Sequence, residues 1–511
     1  MKRLRPVGGG ASNLAATAAA SSILPLRLRA ASKRVVKPAR TRFAPSPTGP
    51  IHLGGLRTAA YNFLLARATG GQFVLRLEDT DRKRLVPTAE SNIYDSLRWA
   101  GLPWDEGPLV GGPHGPYRQS ERAPIYREHI ERLLESGAAY RCFCSAERLD
   151  RLAASAREMH PPSTASYDRK CMHLGAAESA ERARSAPFVV RFKSPTRDDG
   201  SNAPRYPEFE DALRGALTIQ PQINQASVRF DDFVLIKSDG MPTYHFANVV
   251  DDHLMEITHV IRGEEWLAST PKHVALYASF GWQPPIFVHL PLLMGTGGKK
   301  LSKRKSDKGV LEFQETVLPE ALLNFIALLG WSPAHKRIGS SLNEVMALPQ
   351  LVKLFSLEGL TKGNVQVDMG KLSYFAHEHF KAALDSDFDR IAAQCAATVP
   401  YLDPTVASHH LRVLKGHIKG IDDFKEKIDT IIASPSPCVL NADELSIVSA
   451  VNANILQAAP PLEVPFPKKQ VMMVMRKVLI GGKPGMSILE IIKVLGDEET
   501  RRRIDQCIAA S

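Results

Sequence analysis

No acidic residue occurs in this sequence before Glu78, although Arg3, Arg5, Arg27, Arg29, Lys33, Arg34, Lys37 and Arg40 all precede it among alanines and serines. A basic, Ser/Ala-rich, acid-free start has the composition of a mitochondrial presequence, so residues 1–41 are expected to be a targeting segment for the mitochondrial matrix. A solvated basic arm that touches RNA is the other reading of the same composition. Cysteine is scarce as well. Six in 511 residues cannot staple a disulfide scaffold, which agrees with a reducing compartment. Long apolar runs are missing: nowhere do about 18 apolar residues follow one another, so no helical membrane span is expected and the chain reads as soluble. Two nucleotide signatures are absent too. There is no G-x-G-x-x-G, and GTGGKKLSK at 295–303 has the wrong spacing for a P-loop, so neither a dinucleotide fold of that type nor a P-loop ATPase is supported.

What is present is a chain with 44% hydrophobic and 23% charged residues, a globular balance, and length enough for three or four domains. Its net charge of +11 favours a polyanionic partner, because lysine and arginine bind by neutralising phosphates.

After Arg42 the pattern reads strand, turn, helix, strand. Leu56, Ala60, Phe63 and Leu64 recur at helical spacing, Gly70-Gly71 closes that helix, and QFVLRLED from Gln72 alternates like a half-buried strand. A second helix is expected from about Pro124, with Tyr126, Ile130, Leu133 and Leu134 on one face. The polar stretch that follows carries Pro161-Pro162 and interrupts the α/β rhythm as an insertion does. The rhythm resumes in DDFVLIKSDGMPTYHFANVVDDH and in EITHVIRGEEW, where a strand ends near Arg262 and a helix is expected from Glu264. Toward the C terminus helical spacing dominates, broken at ASPSPC and AAPPLEVPFP.

The stretch PSPTGPIHLGGLRTA places His52 at the start of the first helix, at the carboxyl edge of an open α/β sheet, where ligands of such sheets bind. A helix N-terminus there offers N–H groups to a phosphate, and Gly54-Gly55 clears side chains from its approach. Read alone, the same residues also make a capping turn with an incidental histidine. Arg42 lies on the first strand, where an arginine fork can pair a carboxylate. Glu78 follows the second strand on the same sheet edge, where an acid can hold a cation, with Ser46 in the turn. Glu78 pairing with Arg76 or Arg82, and Trp266 as ordinary core, are the structural alternatives.

RFAPSPTGPIHLGGLRTA, followed in order by LRLEDTDRKR, PTYHFANVVDDH, IRGEEW and KKLSKRKS, closely resembles the class I glutamyl-tRNA synthetases over residues 42 to about 310, and more weakly beyond. The resemblance implies an α/β fold: a Rossmann-type parallel-sheet catalytic domain, an α+β acceptor-binding insertion and an all-α C-terminal anticodon-binding region. The corresponding boundaries are 42–141 and 244–340 for the catalytic halves, the second including the lysine-loop and stem-contact region, 142–243 for the acceptor-stem insertion and 341–511 for the helical region. It implies activation of L-glutamate with ATP-Mg²⁺ and transfer to tRNA-Glu, with tRNA-Gln as a second possible acceptor. A monomer is the default expectation, and the missing apolar runs argue against a membrane partner. A non-catalytic tRNA-binding relative is disfavoured by intact His52, Glu78, Arg262 and Lys303.

By the same resemblance HLGG corresponds to the HIGH signature and KLSKR to the KMSKS loop, with Gly55, Leu301 and Arg304 departing from the signature spelling. It assigns catalysis to His52, Lys300 and Lys303, and ATP binding to His52, Gly54, Gly55, Glu265, Lys300, Leu301, Ser302, Lys303 and Arg304. It places Arg42, Phe43, Ala44, Ser46, Glu78, Tyr244, His245, Phe246, Ala247, Asn248, Arg262 and Trp266 around glutamate. Physically, adenylate formation spreads charge onto a leaving pyrophosphate, so positioned cations and N–H donors supply the catalysis and no covalent nucleophile is needed. A pocket that pairs a carboxylate leaves an arginine unmatched when glutamine enters, so discrimination requires no editing domain.

Cys142-x-Cys144 and Cys171-x-His173 offer a four-ligand set suited to a structural tetrahedral zinc. Small buried cysteines in a reducing compartment are the equal alternative.

Overall fold

Arg40–Phe43 (β1) is buried along its whole length and has a parallel neighbour on each side. The computed structural model in which it is seen describes residues 37–197, 203, 205–224, 227, 229–295, 309–333, 344–433, 435–456 and 460–511. From β1 the chain passes through helix α1 (Leu53–Ala68) to strand β2 (Gln72–Leu75), parallel to β1 with Arg40 opposite Gln72 and Phe43 opposite Leu75. This is the expected βαβ opening. Its return is tight enough to require glycine: a Cβ at Gly71 would lie 2.0 Å from the Ala39 carbonyl oxygen.

Helices α2 (Ala89–Trp99) and α3 (Ala123–Glu135) follow. The next stretch holds β3 (Ala139–Cys142), α4 (Ala146–Glu158), α5 (Ala176–Ala183), β4 (Val189–Phe192), β5 (Phe209–Asp211), β6 (Gly215–Leu217) and β7 (Val234–Ile236). It is succeeded by α6 (Tyr244–Leu254), β8 (His259–Gly263), α7 (Thr270–Phe280) and β9 (Ile286–Leu290). The principal sheet runs β2-β1-β8-β9-β5-β6, while β3-β4-β7 forms a separate antiparallel sheet.

Two expectations change here. The segment 142–243 is not one insertion, because its hairpin β5–β6 completes the edge of the main sheet: β5 runs parallel to β9, and β6 is antiparallel to β5. The sheet is therefore mixed and not purely parallel. The hairpin is anchored by Asp211, whose carboxylate accepts from the backbone N–H of Leu213 (3.0 Å), Arg214 (2.8 Å) and His289 (3.0 Å). The chain also does not pass from Arg262 directly into an α-helix; a 3₁₀ segment, Glu264–Ser269, intervenes before α7.

Beyond β10 (Leu293–Met294) come α8 (Pro319–Ala327), α9 (Leu348–Leu354), β11 (Val365–Gln366), α10 (Met369–Ser386), α11 (Phe388–Thr398), α12 (Pro404–Leu414), α13 (Ile421–Ile432), α14 (Ala442–Leu456), α15 (Lys468–Ile480) and α16 (Ile488–Ala509). Among the described residues from 344 onward the regular elements are helices apart from β11, which pairs with β10 because the Val365 and Val367 N–H groups donate to Leu292 and Met294 carbonyls, each at 2.9 Å. A continuous apolar core extends from Phe43 and α1 through α8 and α10 to α16. A second core lies between β3-β4-β7 and helices α3, α6 and α7. In the C-terminal helices the buried Arg503 donates to the carbonyls of Ile431 (2.9 Å), Ile432 (2.9 Å) and Leu479 (2.6 Å), placing its charge at the negative ends of α13 and α15.

Candidate active site

Strand order reverses between β1 and β8: from β1 the chain moves outward to β2, and from β8 outward in the other direction to β9. Such a reversal leaves a crevice beyond the strands' carboxyl ends. A cavity of about 1630 Å³ opens there, lined by Arg42, Phe43, Ala44, Ser46, His52, Gly54, Gly55, Glu78, Tyr244, Asn248, Arg262, Glu265 and Trp266. It exceeds the several hundred Å³ that one small ligand fills.

His52 is the N-cap of α1. Its Nδ1 accepts from the N–H of Gly54 (3.1 Å) and Gly55 (3.3 Å), which leaves the imidazole proton on Nε2. The two glycine N–H groups are therefore engaged by the imidazole, where the helix N-terminus was expected to offer them to a phosphate. The ring occupies the space that a side chain would take: a Cβ at Gly54 would lie 3.1 Å from Nδ1. Capping and cavity lining are the same placement.

Arg42 sits at the end of β1 with Nε 3.1 Å from Asp252 Oδ1, and that oxygen also accepts from Arg76 Nη1 at 2.6 Å. Burial opposes the charge on Asp252, but Arg42 and Arg76 outweigh it and hold the carboxyl below its ordinary value. Glu78 lies 3.4 Å from Arg76 Nη2, and burial pushes its carboxyl above the ordinary value against the pull of Arg76 and Arg42. Asn248 stands between these groups: its amide nitrogen lies 3.4 Å from Glu78 Oε1, and with the amide turned over it would donate to Asp252 (3.2 Å) and accept from Arg76 Nη2 (3.1 Å).

Arg262, near the end of β8, is buried and held by neutral groups: Nη1 approaches Tyr244 Oη (3.2 Å) and His273 Nδ1 (3.3 Å), Nη2 donates to Thr270 Oγ1 (2.9 Å) and Nε donates to His289 Nε2 (3.1 Å). Among the described residues no carboxylate lies within ion-pair distance of it. Tyr244 stacks on Trp266 with centroids 4.0 Å apart, so the aromatic wall and the arginine form one unit.

Three expected glutamate neighbours do not line the cavity. Phe246 and Ala247 are fully buried in the second core, and His245 turns to His273, Nδ1 to Nε2 3.0 Å. The reason is helical period: Tyr244 and Asn248 are one turn apart on α6 and share a face, while the three residues between them point elsewhere.

Residues 38–374 match the family tRNA synthetases class I (E and Q), catalytic domain. The chain belongs to this family. Residues 448–508 of this class I synthetase match an anticodon binding domain. It is 44% identical to the mitochondrial glutamate–tRNA ligase of Saccharomyces cerevisiae, over 94% of each chain. It is 39% identical to a glutamate–tRNA ligase of Alkaliphilus metalliredigens, over 91% of this chain and 98% of that one. The crystal structure of a glutamate tRNA ligase from Elizabethkingia meningosepticum in complex with its amino acid superimposes with a TM-score of 0.77 at 32% identity, covering 93% of this chain and 99% of that one.

The synthetase's lysine loop, with Lys300, Leu301, Ser302, Lys303 and Arg304, lies outside the described residues. In the sheet β3-β4-β7 region, Cys142, Cys144 and Cys171 bring their sulfurs within 4.8 Å of one another, with Cys144 and Cys171 3.6 Å apart. Thiolates on a tetrahedral zinc stand about 3.8 Å apart, given Zn–S bonds of about 2.3 Å, so the trio fits that ion. His173 is not in the group. It is exposed at the end of the 3₁₀ segment Lys170–His173, and Tyr167 Oη is the group that reaches Cys142 (3.2 Å) and Cys144 (3.5 Å).

Asp251 and Asp252 escaped the sequence reading, whereas Arg76, expected there as a partner of Glu78, does approach it at 3.4 Å. The signal for the aspartates was the acidic pair following the apolar VV in VVDDH: both are buried, and Asp251 holds Arg122 (2.7 Å), Gln119 (2.9 Å) and Tyr126 (2.8 Å).

Proposed function

We propose that this class I synthetase is a glutamate–tRNA ligase whose cavity at the strand reversal takes L-glutamate and ATP side by side. The observation that carries the reading is the pairing of two buried arginines, Arg42 and Arg262, with the acid Glu78 around one cavity that also contains the His52 cap. A glutamate has two carboxylates and one ammonium, and this set offers two cations and one anion. Arg262, which has no carboxylate partner among the described residues, receives a substrate carboxylate. Arg42 takes the other, and Glu78 takes the ammonium.

Glutamate's α-carboxylate attacks the α-phosphorus of ATP-Mg²⁺; the bond to the bridging oxygen breaks and pyrophosphate leaves with its electron pair. His52 donates Nε2–H to the triphosphate, and because its Nδ1 is bonded to the first N–H groups of α1, the donor carries the positive end of the helix to the phosphate. Glu265 lines the nucleotide side. By the family resemblance, Lys300 and Lys303, with Leu301, Ser302 and Arg304, serve the ATP phosphates. The terminal adenosine of tRNA-Glu then accepts the glutamyl group through its 2′-hydroxyl; tRNA-Gln is the second candidate acceptor. The C-terminal helices read the splayed anticodon.

The acid-free basic segment 1–41 and the mitochondrial relatives support import into the matrix. No helix among the described residues is long and apolar enough to cross a membrane. The protein acts as a monomer. Cys142, Cys144 and Cys171 would hold a zinc ion that pins β3 to the 3₁₀ segment beside it and takes no part in the chemistry.

ATP–pyrophosphate exchange with glutamate and tRNA tests the assignment. Exchange that requires both is expected. Tight tRNA binding without exchange would overturn it, and charging of purified tRNA-Glu and tRNA-Gln compares the two acceptors.

A further inference from the structure

Arg262 and His289 are direct partners in the parallel pair β8–β9, and Asp211 lies on β5, the next strand across. The three side chains form a row: Asp211 Oδ2 is 2.7 Å from His289 Nδ1, and His289 Nε2 is 3.1 Å from Arg262 Nε. We propose that Asp211 and His289 are positioning residues that hold the Arg262 guanidinium in line with the substrate carboxylate, and so set the affinity for glutamate while leaving that for ATP untouched. The proposal rests on the reading of Arg262 as a carboxylate anchor.

The tautomer follows from the partners. An arginine Nε is only a donor, so His289 Nε2 must accept, and the imidazole proton must then sit on Nδ1 facing a carboxylate that is only an acceptor. Asp211 cannot swing away from this duty, since its oxygens also receive the N–H groups of Leu213, Arg214 and His289. The ring and the carboxylate are fully buried. Burial together with Arg262 keeps His289 neutral, its pKa lowered to about 4 despite Asp211.

The same logic runs down the other side of the guanidinium. His273 Nδ1 accepts from Arg262, so its Nε2–H donates to His245 Nδ1. Among the described residues, every hydrogen-bond partner of the guanidinium is therefore neutral and unable to cancel the charge, and the two imidazoles are fixed in direction. An arginine held this way is oriented without being neutralised, which reserves its charge for an incoming anion. Glutamine offers one carboxylate fewer to the pocket, and a rigid arginine cannot turn aside to reduce that penalty.

The test is steady-state kinetics of tRNA-dependent pyrophosphate exchange on the full chain, with KM for glutamate and for ATP read separately. His289→Leu removes the acceptor and is expected to raise the glutamate KM about tenfold or more, with the ATP KM within about twofold of wild type. His289→Gln places an amide oxygen where Nε2 stood, and is expected to restore most of the loss. An unchanged glutamate KM in His289→Leu, equal rises for both substrates, or a glutamine variant no better than leucine would overturn the proposal. Should His289→Leu fail to fold, Asp211→Asn is read by the same criteria, because it puts an amide N–H opposite Nδ1 and forces the imidazole proton toward Arg262. Arg262→Ala is the control for the underlying reading. If it leaves the glutamate KM unchanged, the anchor itself is wrong; if it raises KM and His289→Leu does not, only the positioning role fails.

Discussion

Arg42 is held at the mouth of its strand by Asp252, through one carboxylate oxygen 3.1 Å from Nε that it shares with Arg76. Both side chains are almost completely buried, so the arginine that would meet substrate is fixed before substrate arrives. Replacing Asp252 by Asn leaves two buried guanidinium groups short of an anion. The expected result is a glutamate KM raised about tenfold and a thermal midpoint lowered by about 5 °C or more, measured by exchange kinetics and scanning calorimetry. An unchanged midpoint would mean that the pair is not structurally coupled.

His52 has two separable jobs. His52→Ala loses the cap and the Nε2 donor; His52→Asn keeps a good capping side chain and loses only the donor. The alanine variant is expected to be about 1 kcal/mol less stable, the asparagine variant nearly as stable as wild type, and both about a hundredfold slower in adenylate formation. Tight tRNA binding is retained by both. A fast asparagine variant would reduce His52 to a cap.

Glu78 gives the pH dependence a sign. Its carboxyl is raised in the empty site by burial, so in that state the protonated form persists above the ordinary carboxylate range. Glutamate's ammonium binds the ionised form. Affinity for glutamate is therefore present at neutral pH and is lost as pH falls through the raised value, above the range of an ordinary carboxylate. The glutamate KM should rise over that interval in wild type, while Glu78→Gln gives a weak but pH-flat KM. A wild-type KM no more pH-dependent on the acid side than that of Glu78→Gln would contradict the assignment.

The cysteine trio predicts a metal. Purified protein is expected to carry about one equivalent of zinc by elemental analysis, and Cys171→Ser is expected to lose it. His173→Ala should retain the zinc, because that imidazole stands outside the sulfur cluster. Zinc loss on chelation should lower the thermal midpoint without stopping exchange.

Arg503 is expected to matter only for folding. Arg503→Met leaves the carbonyls of Ile431, Ile432 and Leu479 without their donor, and should cost about 3 kcal/mol in the C-terminal helices. Exchange at low temperature should keep its wild-type glutamate KM, with a lower thermal midpoint as the visible effect.

Much of this was legible in the chain. Period-2 and helical patterns around Arg42 to Leu75 sufficed for the βαβ opening, and the ordered motifs from HLGG to KLSKR sufficed for the family, since both depend on local spacing. Less legible was anything set by contacts across long separations. The β5–β6 hairpin looks like part of an insertion until β9 is placed beside it. His245, Phe246 and Ala247 look equivalent to Tyr244 and Asn248 until the helix chooses a face. His173 looks equivalent to Cys171 until the 3₁₀ turn carries it outward.

The sequence by itself determined the family, the strand-turn-helix that presents His52, and the residue types able to meet glutamate and ATP, because these are properties of short segments. Only the tertiary structure decided which arginine is already matched and which is not. Arg42 and Arg76 lie 34 residues apart in the sequence and share Asp252, far along the chain; Arg262 is held by His289, His273, Tyr244 and Thr270, and by no acid among the described residues. Charge compensation depends on distance and burial in three dimensions, and neither can be counted along a chain.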